Sequence, residues 1–303
     1  MNSASLLNVM SRVMGSRMAR WLGLGISLGF ILLICRALYL EREQLAEVKI
    51  NRAFMLASTA SIFVVVLGNL LGSIAAWLLL RKHSGTLTLP FSVALNGLAQ
   101  MAKYLPGNVL HLVGRFFLIK HHTDTKTAFF FSIYEVLLLC LSGCSLGLLY
   151  VHYVQPDVWS LPVLGLLSLL LLAMGVIVLF RLRLLHASGL DMGIVVLLYL
   201  LSFLCYGQAF SLLFSLVFDL QTAGGLLCSV LFALAFVVGY VTPGASGGLG
   251  VREFVFMVLA QPILDPGQAV AVVVLFRLFS VAGDLVFALL ALLIRKLYRV
   301  KLI

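Results

Sequence analysis

Residues 242–253 read TPGASGGLGVRE, and residues 103–108 read KYLPGN. Both stretches interrupt apolar sequence with a proline and a glycine, Pro243-Gly244 and Pro106-Gly107, and these residue types break helices. The apolar arms beside them (91–102, 109–119, 226–240 and 251–260) have about 10–15 residues, or about 15–22 Å at 1.5 Å per residue. Because one arm is too short to cross a membrane, each pair is either one kinked span or a re-entrant helical hairpin.

The rest of the chain is apolar enough for a membrane protein. Of its 303 residues, 62% are hydrophobic and 11% are charged, whereas soluble domains have about 25% charged residues. This composition excludes a soluble enzyme, a disordered chain and a disulfide-stapled secreted domain. Six stretches are long enough to cross about 30 Å of hydrocarbon: 21–40, 54–80, 128–150, 161–180, 192–217 and 270–293. We therefore expect an all-α integral membrane protein with one polytopic domain.

The net charge of +10 favours membrane orientation rather than nucleic-acid binding, because most of the basic residues lie in short loops beside the spans. Re-entrant hairpins put 13 Lys and Arg residues on the cytoplasmic side and 3 outside, Arg42, Lys49 and Arg52. If both pairs of arms cross, the distribution becomes 9 to 7. The positive-inside rule therefore favours two re-entrant hairpins, with both termini cytoplasmic and the chain in the inner membrane.

The two broken regions also resemble each other. Their prolines are 137 positions apart, and each is preceded by a tyrosine and followed nine positions later by an arginine: Tyr104, Pro106 and Arg115, and Tyr240, Pro243 and Arg252. The same offset relates the first three spans to the last three, within five residues. We interpret 21–153 and 158–294 as two copies of one unit, inverted because each has three spans. Such repeats are typical of transporters. A chance match between two helix breakers is the alternative.

The segments Lys103-Tyr104-Leu105-Pro106-Gly107 and Gly247-Gly248-Leu249-Gly250-Val251-Arg252-Glu253 resemble the lysylphosphatidylglycerol synthase transmembrane-region family, also called flippase-like. The resemblance covers nearly the whole chain. It implies handling or movement of an anionic or polyprenyl-linked lipid at the inner membrane. Bifunctional members have a cytosolic aminoacyl-transfer domain after the membrane part, and this chain ends at Ile303. We therefore do not expect the synthase activity.

Charged residues inside apolar segments are the candidate functional residues. A charge at the membrane centre costs about 2.5–3.5 kcal/mol on insertion scales, so such residues are functional candidates by default. Six lie within apolar segments and one at the first break: Arg115, Glu135, Arg252, Glu253, Arg277, Asp284 and Lys103. Arg277 and Asp284 share one helix face, so we expect them to line one polar cavity.

Arg252 is the first choice for binding a lipid phosphate, because a guanidinium makes bidentate contacts with phosphate. Arg115 is its counterpart in the first copy. Lys103, Tyr104, Tyr240, Gly247, Gly248 and Gly250 complete the predicted phosphate site. The alternative is that Arg252 pairs with an acid and only holds the hairpin. We expect Glu253 to meet Arg277, and Glu135 and Asp284 either couple transport to protons or neutralise the buried arginines.

Three functions fit these residues. A lipid transporter is the first, with an anionic phospholipid, an aminoacylated lipid or a polyprenyl phosphate as substrate. An enzyme that acts on lipid phosphates is disfavoured because no nucleophile motif is evident. The third is a non-catalytic membrane partner of a glycosyltransferase or aminoacyltransferase. No cofactor or metal is expected, since His121-His122 and Asp124 lack a third convincing ligand and 244–250 lacks the Gly-Lys-Ser/Thr of a phosphate loop.

Overall fold

The computed structural model describes residues 32, 36, 39, 51–103, 110–157, 159–182, 185, 187–218, 224–242, 250–261 and 266–302. About 85% of these residues are helical, and none of them lies in a strand. The helices in the continuous parts are α1 (Arg52–Leu80), α2 (Leu89–Ala102), α3 (Leu110–Lys120), α4 (Thr125–Gly147), α5 (Tyr150–Val154), α6 (Leu161–Leu182), α7 (Gly189–Phe218), α8 (Gly225–Val241), α9 (Val251–Ala260) and α10 (Pro266–Leu297).

Five segments of the described chain are long and apolar enough to cross a membrane. They are Phe54–Leu80, Thr125–Val154, Leu161–Leu182, Gly189–Leu213 and Val272–Leu297. Each contains most of one span expected from the sequence, so the all-helical, multi-pass membrane class is confirmed at this level. The expected span 21–40 lies outside the continuously described residues. Leucines on α6 are exposed, Leu169 to 64%, which fits a helix that faces lipid.

Side-chain caps explain where several helices begin. The side-chain oxygens of Asn51, Thr88 and Asp124 each accept a hydrogen bond from a backbone N–H in the first turn of α1, α2 and α4. Hydrogen bonds from the Thr127 side chain and backbone also keep the pKa of Asp124 below its usual value. At the start of α7, Ser188 and Asp191 cap each other, because the backbone N–H of each donates to the side chain of the other at 3.1 Å. These pairings satisfy N–H groups that have no partner within the helix.

Helices α1 and α7 pack against each other in antiparallel orientation. Ser61 Oγ donates to the Ala209 carbonyl at 2.9 Å, and further along α1 the Gly68 carbonyl accepts from Ser202 Oγ at 3.1 Å. At the carboxyl end of α1, Arg81 pairs with Asp191 at 2.6 Å. The contact position moves forward along α1 as it moves backward along α7, so the two chains run in opposite directions.

The shorter helices pack in pairs beside the α1–α7 pair. Helix α2 contacts α3, and α8 contacts α9. Helix α10 packs on α1 and α2, while α4 packs on α7 and α8. One apolar core includes Phe91 of α2 and Phe131 of α4, and a second joins Phe210 of α7, Phe256 of α9 and Phe276 of α10. The second core borders the candidate site.

Candidate functional site

A cavity of about 170 Å³ lies among α2, α3, α4, α7, α8, α9 and α10. Phe210, Phe256 and Phe276 of the second apolar core form part of its wall. Its lining also contains seven charged side chains: Lys103, Arg115, Glu135, Arg252, Glu253, Arg277 and Asp284. An apolar cavity of about 150 Å³ holds one benzene, so this cavity is large enough for a headgroup phosphate.

Lys103 and Asp284, which both line the cavity, form the centre of a polar network. Lys103 Nζ lies 2.5 Å from Asp284 Oδ2, and Asn69 Nδ2 donates to Asp284 Oδ1 at 2.9 Å. Asn69 Oδ1 accepts from the Tyr206 hydroxyl at 2.9 Å and from Gln100 Nε2. Asp284 is 1% exposed, so its carboxylate depends on these partners rather than on water. The network joins α1, α2, α7 and α10.

Arg115 of α3 is paired with Glu135 of α4. Arg115 Nη2 lies 2.7 Å from Glu135 Oε1, and the two side chains are 12% and 9% exposed. The guanidinium carbon also lies 5.7 Å from the centroid of the Phe131 ring. The charge of Arg115 is therefore compensated within the protein.

Glu253 links the beginning of α9 to α10. Its Oε2 accepts a hydrogen bond from the Gly250 backbone N–H at 2.8 Å, and its Oε1 lies 3.4 Å from Arg277 Nε. Gly250 has φ 83°, a conformation that glycine adopts without steric cost. The acid thus both caps α9 and compensates Arg277.

Arg252 differs from the other three cations of the lining. Within the described parts of the chain it forms no ion pair with a carboxylate. Its buried Nε has no hydrogen-bond partner there, a feature that it shares with the Nε atoms of Arg115 and Arg277. Its guanidinium carbon lies 4.0 Å from the centroid of the Phe236 ring, a cation–π distance. Helix α8 approaches closely at this point, since a Cβ on Gly239 would lie 2.4 Å from Arg252 Cγ.

The structure brings together eight of the residues singled out from the sequence. These eight line one cavity: Lys103, Arg115, Glu135, Tyr240, Arg252, Glu253, Arg277 and Asp284. Gly250 lies at the start of α9, in hydrogen-bond contact with Glu253. The others lie outside the described residues: Tyr104, Pro106, Gly107, Pro243, Gly244, Gly247 and Gly248.

Two residues of the polar network were missed by sequence reasoning, Asn69 and Tyr206. Asn69 is buried in the middle of α1, and a polar side chain inside an apolar span is a signal that could have found it. Tyr206 lies 137 positions after Asn69, which is the offset between the two prolines. The expected contact of Glu253 with Arg277 is present.

Comparison with protein-family models and with curated proteins finds no match for the chain. The resemblance to the lysylphosphatidylglycerol synthase transmembrane-region family therefore stays a prediction. In the described part of the chain, no three His, Cys, Asp or Glu side chains form a group that could hold a metal ion.

Proposed function

We propose that this chain is a lipid transporter and that Arg252 binds the phosphate of the lipid headgroup. One observation carries the proposal: Arg252 lines a cavity among the helices and has no carboxylate partner among the described residues. A buried charge without a partner is costly. An anionic headgroup that enters the cavity compensates this charge, and the guanidinium makes bidentate contact with its phosphate oxygens.

The proposal narrows the phosphate site expected from the sequence. Lys103 and Arg115 were expected to surround the phosphate together with Arg252. Asp284 and Glu135 already compensate these two cations. We therefore propose that Lys103 and Arg115 hold the helices of the cavity wall together and do not bind the phosphate. The lipid tails remain in the surrounding hydrocarbon while the headgroup passes through the cavity.

We also propose six spans and two re-entrant hairpins, with both termini cytoplasmic and the chain in the inner membrane. The hairpin arms are α2, α3, α8 and α9, and the longest has 17 residues, or about 25 Å. None of them reaches across about 30 Å of hydrocarbon. Contact of α2 with α3 and of α8 with α9 supports folding back rather than one kinked span.

An inverted repeat with an offset of 137 residues is supported by a contact between α1 and α7. Asn69 and Tyr206 are 137 positions apart and are hydrogen-bonded to each other. A bond between equivalent positions of two copies is expected at a two-fold axis. The caps Asn51 and Ser188 have the same separation. The antiparallel packing of α1 and α7 is the arrangement that inversion requires.

The proposal is tested by lipid transport in proteoliposomes. Arg252→Gln removes a charge-assisted contact of about 1.5–3 kcal/mol, so we expect headgroup movement between leaflets to slow by about tenfold or more. Arg295→Gln is the matched control, because Arg295 is exposed in the last turn of α10 and should keep the wild-type rate. Equal rates for folded Arg252→Gln and wild-type protein would overturn the proposal.

A further inference from the structure

The charges that line the cavity do not cancel. Among the described residues, the lining contains four cationic side chains and three carboxylates: Lys103, Arg115, Arg252 and Arg277, and Glu135, Glu253 and Asp284. The described part of the cavity wall therefore has one positive charge in excess.

The ion pairs locate this excess charge. Asp284 lies 2.5 Å from Lys103, Glu135 lies 2.7 Å from Arg115, and Glu253 lies 3.4 Å from Arg277. Each carboxylate thus compensates one cation, and the remaining positive charge is that of Arg252. We infer that the cavity selects a headgroup with a single net negative charge, a phosphodiester without a cationic group, over phosphomonoester, diphosphate and zwitterionic headgroups. This inference rests on the proposed function.

Charge balance is the physical reason for the selectivity. A phosphodiester brings one negative charge and makes the cavity neutral. A phosphomonoester carries a charge of about −1.5 to −2 at pH 7, so it leaves negative charge without a partner. A zwitterionic headgroup brings no net charge and leaves the excess positive charge in place. In a medium with little water, an uncompensated charge weakens binding in both cases.

The geometry of Arg252 fits a diester as well. The Phe236 ring lies over the guanidinium, 4.0 Å from its central carbon, so a ligand reaches Arg252 through the N–H groups at its edge. Two N–H groups along one edge match the two free oxygens of a phosphodiester. The further charge of a monoester would require a second cation, and the other cations of the lining, Lys103, Arg115 and Arg277, are engaged with carboxylates.

Binding of three lipids to the purified chain tests this inference. Fluorescent phosphatidylglycerol, phosphatidic acid and phosphatidylethanolamine have the same tails and differ in headgroup charge. Measurements at about pH 8 keep phosphatidic acid doubly ionised, because the second pKa of a phosphomonoester is about 6. We expect phosphatidylglycerol to bind about tenfold more tightly than either of the others, a difference of about 1.4 kcal/mol.

A change of charge in the cavity should change the preference. Glu135→Gln releases Arg115 from its carboxylate, so the relative affinity for phosphatidic acid should rise about tenfold. Asp284→Asn releases Lys103 in the same way and serves if Glu135→Gln fails to fold. Asp157→Asn is the matched control, because Asp157 is exposed outside the cavity. This control makes the same change in total charge and should keep the wild-type preference.

The outcomes separate this inference from the proposed function. The selectivity alone is overturned if wild type binds phosphatidic acid as tightly as phosphatidylglycerol. It is also overturned if a folded cavity variant keeps the wild-type lipid preference. If Arg252→Gln leaves the affinities for all three lipids unchanged, both the phosphate site and the selectivity are overturned. A preference for phosphatidylglycerol that Arg252→Gln abolishes supports the inference, even if proteoliposomes show no transport and the transporter proposal fails.

Discussion

Arg252 depends on a glycine in the neighbouring helix. A Cβ on Gly239 of α8 would lie 2.4 Å from Arg252 Cγ, well inside van der Waals contact. Helix α8 therefore leaves room for the arginine side chain only because position 239 has no side chain. This close approach determines the orientation of the Arg252 side chain, which we propose binds the phosphate.

We predict that Gly239→Ala displaces Arg252 and lowers the free energy of unfolding by about 1–3 kcal/mol, because overpacking strains the core. Affinity for phosphatidylglycerol should fall as well. The measurements are thermal unfolding in detergent and lipid binding. Gly72→Ala in α1 is the control, since a Cβ there has no neighbour within 4 Å. A folded Gly239→Ala protein with wild-type stability and binding would contradict the prediction.

A second prediction concerns the Arg115–Glu135 ion pair. Glu135→Gln leaves the Arg115 charge without its carboxylate in a mostly buried site, and breaking a buried pair costs about 3–5 kcal/mol. The double variant Arg115→Gln/Glu135→Gln removes both charges and should recover most of that loss. Unfolding free energies of the single and double variants give the coupling between the two side chains. Additive losses would mean that the pair is not coupled.

Helix positions were largely predictable from the sequence because apolar length and helix breakers determine them. The arm expected at 251–260 is α9, with the same bounds. Helix α7 begins three residues before the expected 192, because Ser188 and Asp191 cap it. The extent of an apolar stretch does not show where such a cap lies. The short helix α5 after α4 was also not anticipated, since hydropathy stays high through that region.

The hairpin arrangement makes a prediction about sidedness. Thr86 precedes α2 and His121 follows α3, and both are exposed. If α2 and α3 form a re-entrant hairpin, cysteines placed at 86 and 121 in a cysteine-free background react with a membrane-impermeant maleimide from the same side. A cysteine at Asp157, which is exposed beyond α5, should react from the opposite side. Labelling of positions 86 and 121 from opposite sides would show one crossing span instead.

Across the whole molecule, the two proposed copies differ in charge. With the offset of 137, Glu135 corresponds to Val272 and Asp284 to Gly147. The acid that compensates Arg115 thus has no counterpart beside Arg252. We expect this asymmetry to leave Arg115 compensated by an acid of its own copy, Glu135, and Arg252 open to an anion.

The sequence predicted that these charges share a cavity but not which of them pair. Lys103 and Asp284 are 181 positions apart, and their contact depends on how α10 packs against α2. Burial of isolated charges requires partners, which is why charges within apolar segments could be singled out from the sequence. Tertiary packing selects the partners, so the sequence alone did not show that Arg115 pairs with Glu135.

The most direct measurement compares transport by Arg252→Gln with transport by Arg115→Gln/Glu135→Gln in proteoliposomes that contain labelled phosphatidylglycerol. If Arg252 alone binds the phosphate, the first variant slows headgroup movement about tenfold or more. The double variant, which removes a compensated pair, then stays within about threefold of wild type. An equal loss in both folded variants would contradict this assignment and show that the two arginines act together.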